Sequence, residues 1–222
     1  MNKQEKKYDV AVFDVDGTLL NTKEGVLKAV RDMLKKCGLR ELKTEEEPLF
    51  IGPPIQESLM KVYGVSKEEA QSCAEVFRDL YKQDDYLLRA FPYDGIMQLM
   101  KDLEEHGIKV AVATYKRHDY AQKICEHFGF TKYADAVYGS DNFNKLKKLD
   151  IIELCLKDMK VSDYKRAVMI RDTSFDAIGA KEIGTEFIGV TYGYGFISDE
   201  EVNEYPNIGI AHTAEEILPY FM

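Results

Sequence analysis

The chain has 222 residues, with 30 Lys and Arg against 39 Asp and Glu, for a net charge of −9. That length buries one full core with room for a small insert, and the acidic balance argues against a nucleic-acid surface. An anionic ligand would have to be held by a local cation, because the overall field repels it.

Val10, Ala11, Val12 and Phe13 form an apolar run too short for a helix and suited to a buried parallel strand. It ends in Asp14 and Asp16, followed by Gly17 and Thr18. Val26, Leu27, Val30, Met33, Leu34 and Cys37 then recur at helical spacing, and Gly38 stops that helix. Gly52, Pro53 and Pro54 precede a short helix with Ile55, Leu59 and Met60 on one face, and this turn either offers a helix N-terminus to an anion or serves packing alone. Ser66 and Glu69 make a capping box for a third helix through Ala70, Cys73, Phe77 and Leu80. From Phe91 the pattern alternates: helix 94–106 ended by Gly107, strand 108–113, helix 120–128, a weaker strand 136–138, helix 149–156, strand 167–170, helix 175–183 and strand 187–190. A capping box at Thr213 and Glu216 predicts a final helix. This rhythm predicts an α/β fold, a doubly wound parallel-sheet (Rossmann-like) core over 1–20 and 90–222, with an all-helical cap over 21–89 inserted after the first strand.

Cys37, Cys73, Cys125 and Cys155 show no C-x-x-C pair and no metal-finger spacing, and read as reduced core thiols of a cytoplasmic protein. The sequence has no apolar leader and no spanning stretch, so neither export nor membrane insertion is expected.

In open α/β sheets, ligands bind beyond the carboxyl ends of the strands. Asp14 and Asp16 emerge there, and two acids so close need a cation, a proton or a cationic partner to sit together. A calcium loop is excluded, because the positions requiring Gly and Glu hold Leu19 and Gly25. The second core strand delivers Thr114, then Tyr115, Lys116 and Arg117. Strand 167–170 delivers Arg171 and Asp172, with Asp176 one helical turn further on, and Lys145, Lys147 and Lys148 precede the intervening helix. Carboxylates, a hydroxyl and a lysine gathered on one rim point to a magnesium-dependent phosphoryl site.

The order DVDGT, VAVAT, a lysine and RDTSFD resembles the four signature segments of the haloacid dehalogenase superfamily. The helical insertion after the first motif resembles its first cap subclass, and FIGPPIQESL and IGVTYGYG resemble its phosphoglycolate-phosphatase-like branch. The resemblance implies Asp14 as nucleophile and Asp16 as acid and base. It implies Mg²⁺ held by the Asp14 carboxylate, the Asp16 carbonyl and Asp172, with Asp176 acting through water. Thr114 and Lys148 would grip the phosphoryl group, with Lys147 or Lys145 as substitutes for Lys148. Gly17, Thr18, Tyr115 and Lys116 are the substrate-binding candidates. The implied protein is a soluble phosphatase of a small phosphorylated metabolite, phosphoglycolate or a nucleoside monophosphate. A sugar-phosphate mutase and a non-catalytic binder of phosphorylated metabolites are the alternatives.

Two positions depart from the family pattern. Arg171 stands where Gly is usual, and would either pair with Asp172 and compete with the metal or point away. Leu149 follows Lys148 where Pro is frequent. His106 and His127 read as helix C-terminal residues, and His118 as a candidate for the cleft. Tyr192 and Tyr194 either border the substrate or pack within their loop. Gly193 and Gly195 do not continue as a dinucleotide motif, because Ser198 fills its last place.

Overall fold

The computed structural model describes residues 6–141, 145–173 and 182–222. The chain divides into two units, one comprising 1–20 and 92–222 and the other 21–91.

The first unit is built on a six-stranded sheet in the order β5-β4-β1-β6-β7-β8. Its strands are β1 (Val10–Phe13), β4 (Lys109–Arg117), β5 (Ala136–Ser140), β6 (Ala167–Arg171), β7 (Glu186–Val190) and β8 (Gly209–Ala211), and every described pairing between them is parallel. Between β1 and β4 in sequence lie two two-residue strands, β2 (Leu20–Asn21) and β3 (Phe91–Pro92), which pair with each other where the chain leaves and re-enters this unit. β1 is fully buried, and its alternate residues serve the two faces of the sheet. Val10 and Val12 join Ala111, Ala113, Met169 and Phe187 in a core closed by Ile151, Ile152 and Cys155. Strand order places β1 between β4 and β6, so the chain winds outward on one side and then on the other. The crevice of such a sheet opens at this reversal, beyond the carboxyl end of β1.

The second unit is helical, with α1 (Lys23–Lys36), a 3-10 segment Thr44–Phe50, α2 (Ile55–Tyr63), α3 (Lys67–Tyr81) and α4 (Asp84–Leu87). Gly38 at φ 68° follows the end of α1, and Ser66 and Glu69 cap α3 reciprocally at 3.2 and 2.9 Å. Val30, Met33 and Leu34 on α1, and Ala70, Ala74 and Phe77 on α3, are buried at the spacing of one helix face.

Among the described residues, the sheet unit carries the α-helices α5 (Ile96–Glu105), α6 (His118–His127), α7 (Lys148–Asp158) and α8 (Asp199–Asn203). β4 runs four residues past the expected end, through Thr114 to Arg117, with a register shift against β5. The expected final helix is instead two 3-10 segments, Ala214–Glu216 and Leu218–Phe221. Pro219 has no N–H for an α-helical bond and crowds the preceding turn. β8 and α8 are additions to the sequence reading, and the expected helix 175–183 falls largely outside the described residues. Among the described residues no helix is long and apolar enough to cross a membrane.

Burial pushes the thiols of Cys125 and Cys155 up to about 12. Both should therefore stay unmodified when the folded protein meets Ellman's reagent at neutral pH, and react once urea unfolds it. Peptide mapping that found either one labelled in the folded state would contradict this packing.

Candidate active site

The site grows from the end of β1. Asp14 follows Phe13, and the chain then turns tightly, with the Val15 carbonyl accepting N–H bonds from Leu19 at 3.1 Å and Leu20 at 2.9 Å. Gly17 makes the turn at φ 74°, and a Cβ there would lie 2.0 Å from Asp172 Oδ2. The turn beyond β1 and the residue beyond β6 are therefore in direct contact, and only glycine fits between them.

Four ionisable groups are withdrawn from water at this edge. Asp14 and Asp172 are each 1 % exposed, and Lys148 and Arg171 each 3 %. Lys148 Nζ donates to Asp14 Oδ1 at 2.7 Å and to the Ala113 carbonyl at 2.7 Å. Arg171 Nε stands 3.3 Å from the other Asp14 oxygen, Oδ2. Burial alone would raise Asp14, but the Arg171 and Lys148 charges outweigh it and hold the carboxyl below its ordinary value. Asp172 behaves differently. Burial pushes it up to about 6, against the pull of Arg171 and of the Tyr194 and Gly195 amides.

Local structure selects Lys148 from its neighbours. The Asp141 carboxylate accepts the Lys145 and Leu146 N–H groups at 3.1 and 3.0 Å, and Asp150 accepts the Lys147 N–H at 2.7 Å. Lys145 and Lys147 are exposed, whereas Lys148 begins α7 with its N–H on the Tyr115 hydroxyl at 3.0 Å and its ammonium inward. Tyr115 thus anchors the helix that carries the lysine. Thr114 is buried, and its hydroxyl accepts the Lys116 N–H at 3.2 Å. Lys116 Nζ lies 3.0 Å from Asp16 Oδ1.

The loop after β7 closes the far side of Asp172. Its Oδ2 accepts the Tyr194 N–H at 2.8 Å and the Gly195 N–H at 3.2 Å. A Cβ on Gly193 would lie 2.3 Å from the Gly17 carbonyl and 2.4 Å from Asp172 Oδ2. The Tyr192 hydroxyl donates to the Thr18 carbonyl at 3.2 Å, and that of Tyr194 to the Leu20 carbonyl at 3.3 Å. Both tyrosines therefore brace the turn after β1. Of the two readings of Tyr192 and Tyr194, substrate border or packing within their loop, the hydrogen bonds favour packing, though against the turn after β1 rather than within the loop itself. Arg171 is turned toward Asp14, whereas the sequence reading offered Asp172 or open space. His118 is engaged away from the cluster, its Nδ1 accepting the Gly139 N–H at 3.3 Å, and His106 Nδ1 lies 2.6 Å from the Asp102 carbonyl at the end of α5.

Among the described residues no three carboxylate, imidazole or thiolate side chains gather as a metal cage. Two carboxylates do come near each other, since β1 and β6 pair with Phe13 opposite Ile170 and Asp14 and Asp172 leave these adjoining strand ends. Asp172 Oδ1 is buried and accepts no hydrogen bond, and Thr18 Oγ1 is likewise buried with no hydrogen-bond partner. A buried carboxylate oxygen without a donor suits a hard cation, so this donor chemistry fits Mg²⁺. Asp176 lies outside the described residues.

The family model for haloacid dehalogenase-like hydrolases matches residues 11–190. A 5'-nucleotidase from Pseudomonas aeruginosa is 32% identical over 201 residues, 90% of this chain and 89% of its own length. A phosphoglycolate phosphatase from Aquifex aeolicus is 27% identical over 185 residues, 83% of this chain and 85% of its own. The crystal structure of a predicted phosphatase from Clostridium acetobutylicum matches with a TM-score of 0.85 at 33% identity, over 95% of this chain and 96% of that one. The chain belongs to the haloacid dehalogenase-like hydrolases, in their phosphoglycolate-phosphatase-like branch, and is an enzyme of the phosphoric monoester hydrolase class.

Two substitutions test the packing. Gly193→Ala should cost about 1–3 kcal/mol, because the added methyl meets backbone and the held Asp172. Lys148→Met should cost about 3 kcal/mol, the lower end for breaking a buried pair, since Arg171 still faces Asp14. Urea unfolding reads both, and wild-type midpoints would contradict the geometry.

Proposed function

We propose that this protein hydrolyses a small phosphomonoester in two steps through a phosphoryl-aspartate at Asp14. The carrying observation is Asp14 itself, buried yet kept ionised by a cation on each oxygen. A carboxylate held this way is oriented and ready to attack phosphorus.

In the first step an Asp14 oxygen would bond to phosphorus while the ester oxygen departs with its electron pair. Asp16 would give that oxygen a proton, a contribution typically worth about 10²–10⁴-fold. In the second step Asp16 would take a proton from water as the water oxygen attacks phosphorus, releasing phosphate and restoring Asp14. Lys148 and the Thr114 hydroxyl would stabilise the oxygens of the phosphoryl group as charge redistributes. Mg²⁺, held by Asp14, the Asp16 carbonyl and Asp172, with Asp176 through water, would neutralise phosphoryl charge when bound. The Gly17 and Thr18 N–H groups donate within the turn, to the Leu20 carbonyl at 3.0 Å and the Val15 carbonyl at 3.4 Å, so Gly17 would shape the turn around the group, while Tyr115 and Lys116 would fix its surroundings.

Nucleoside monophosphates and phosphoglycolate head the substrate list. The first is supported by the 32% identity to a protein named 5'-nucleotidase, the second by the relative named phosphoglycolate phosphatase. Phosphate release from a panel of both, plus a hexose phosphate, with and without Mg²⁺, tests the reading. Release should require the ion, and Asp14→Asn should reduce it to background while circular dichroism shows the fold retained. Unimpaired turnover in that variant would remove the covalent route.

A further inference from the structure

Arg171 does more at this site than end a strand. Its side chain is 4 % exposed, and its Nε lies 3.3 Å from Asp14 Oδ2, the oxygen that Lys148 leaves uncovered. A guanidinium does not lose its proton in a protein, so this positive charge is permanent. Two fixed cations, Arg171 and Lys148, thus face two buried carboxylates, Asp14 and Asp172, and among the described residues these four buried charges balance. A divalent ion approaching Asp14 Oδ2 and the uncovered Asp172 Oδ1 would meet the guanidinium at ion-pair distance.

We infer that Arg171 is a resident counter-ion of Asp14 that competes with the divalent metal, so that the ion binds only as the guanidinium leaves Asp14 Oδ2. The inference rests on the phosphatase reading only in taking Asp14 and Asp172 as ligands of that ion. Metal affinity is the quantity this arrangement sets.

Calorimetric titration of Mg²⁺ into the full chain, stripped with a chelator, tests it on wild type, Arg171→Met and Arg171→Gly. The Met variant keeps a long unbranched side chain without the charge, and Gly removes charge and bulk together. Both should bind Mg²⁺ about 10-fold or more tightly, and Mg²⁺ should raise their Tm by more than it raises that of wild type. Equal Kd values in all three would overturn the inference. Tightening in the Gly variant alone would also overturn it, since bulk and not charge would then be responsible. Phosphate release measured on the same samples separates this from the phosphatase reading. Equal affinities with hydrolysis intact leave that reading standing, whereas tighter binding with no hydrolysis in any sample removes that reading and keeps the competition.

Discussion

A carboxylate taken out of water must be compensated on the spot, and Asp14 is compensated twice, by Lys148 at 2.7 Å and by Arg171 at 3.3 Å. The three groups come from three different strands or helices, the ends of β1 and β6 and the first turn of α7. None of them can be buried alone without a large desolvation cost. The register of the central strands and the entry angle of α7 are therefore tied to one charge cluster. The Tyr115 hydroxyl on the Lys148 N–H strengthens that tie, because β4 thereby positions the helix that carries the lysine.

Topology explains why the cluster forms where it does. β1 lies at the reversal of strand order, where connections on the two sides diverge and a crevice forms beyond its carboxyl end. Close approach does the rest. Gly17 and Gly193 leave room for Asp172 to lie against the turn after β1, and the Tyr194 and Gly195 amides fix one of its oxygens. The other oxygen is left without a hydrogen bond. One carboxylate is thus held by cations and the other by backbone, and their proton affinities move in opposite directions.

Much of the core was readable from residues with one structural option. The four apolar residues of β1 and the spacing of Ile96, Leu99, Met100 and Leu103 in α5 leave little choice of element. The extension of β4 was not readable, because TYKR is polar and its pairing of Arg117 with Ser140 follows a register shift. The three-residue β8 is too short for periodicity, and the capping box at Thr213 promised a helix that Pro219 prevents. At the site, the type and order of residues showed where acids and a lysine would emerge. The partner of Arg171 could not be read, since Asp14 and Asp172 lie at neighbouring strand ends and a long flexible side chain can reach either. The bracing role of Tyr192 and Tyr194 depends on a turn 174 residues away in sequence, far beyond the window in which hydrophobic periodicity carries information.

The chemistry assigned to Asp14 can be caught directly. The protein is mixed with p-nitrophenyl phosphate and Mg²⁺, quenched in acid during turnover, digested and mapped by mass spectrometry. Hydrolysis through Asp14 predicts one phosphoryl group on the peptide containing that residue, removed by hydroxylamine as an acyl phosphate is. Steady turnover with no adduct on that peptide, or an adduct on a different carboxylate, would contradict it.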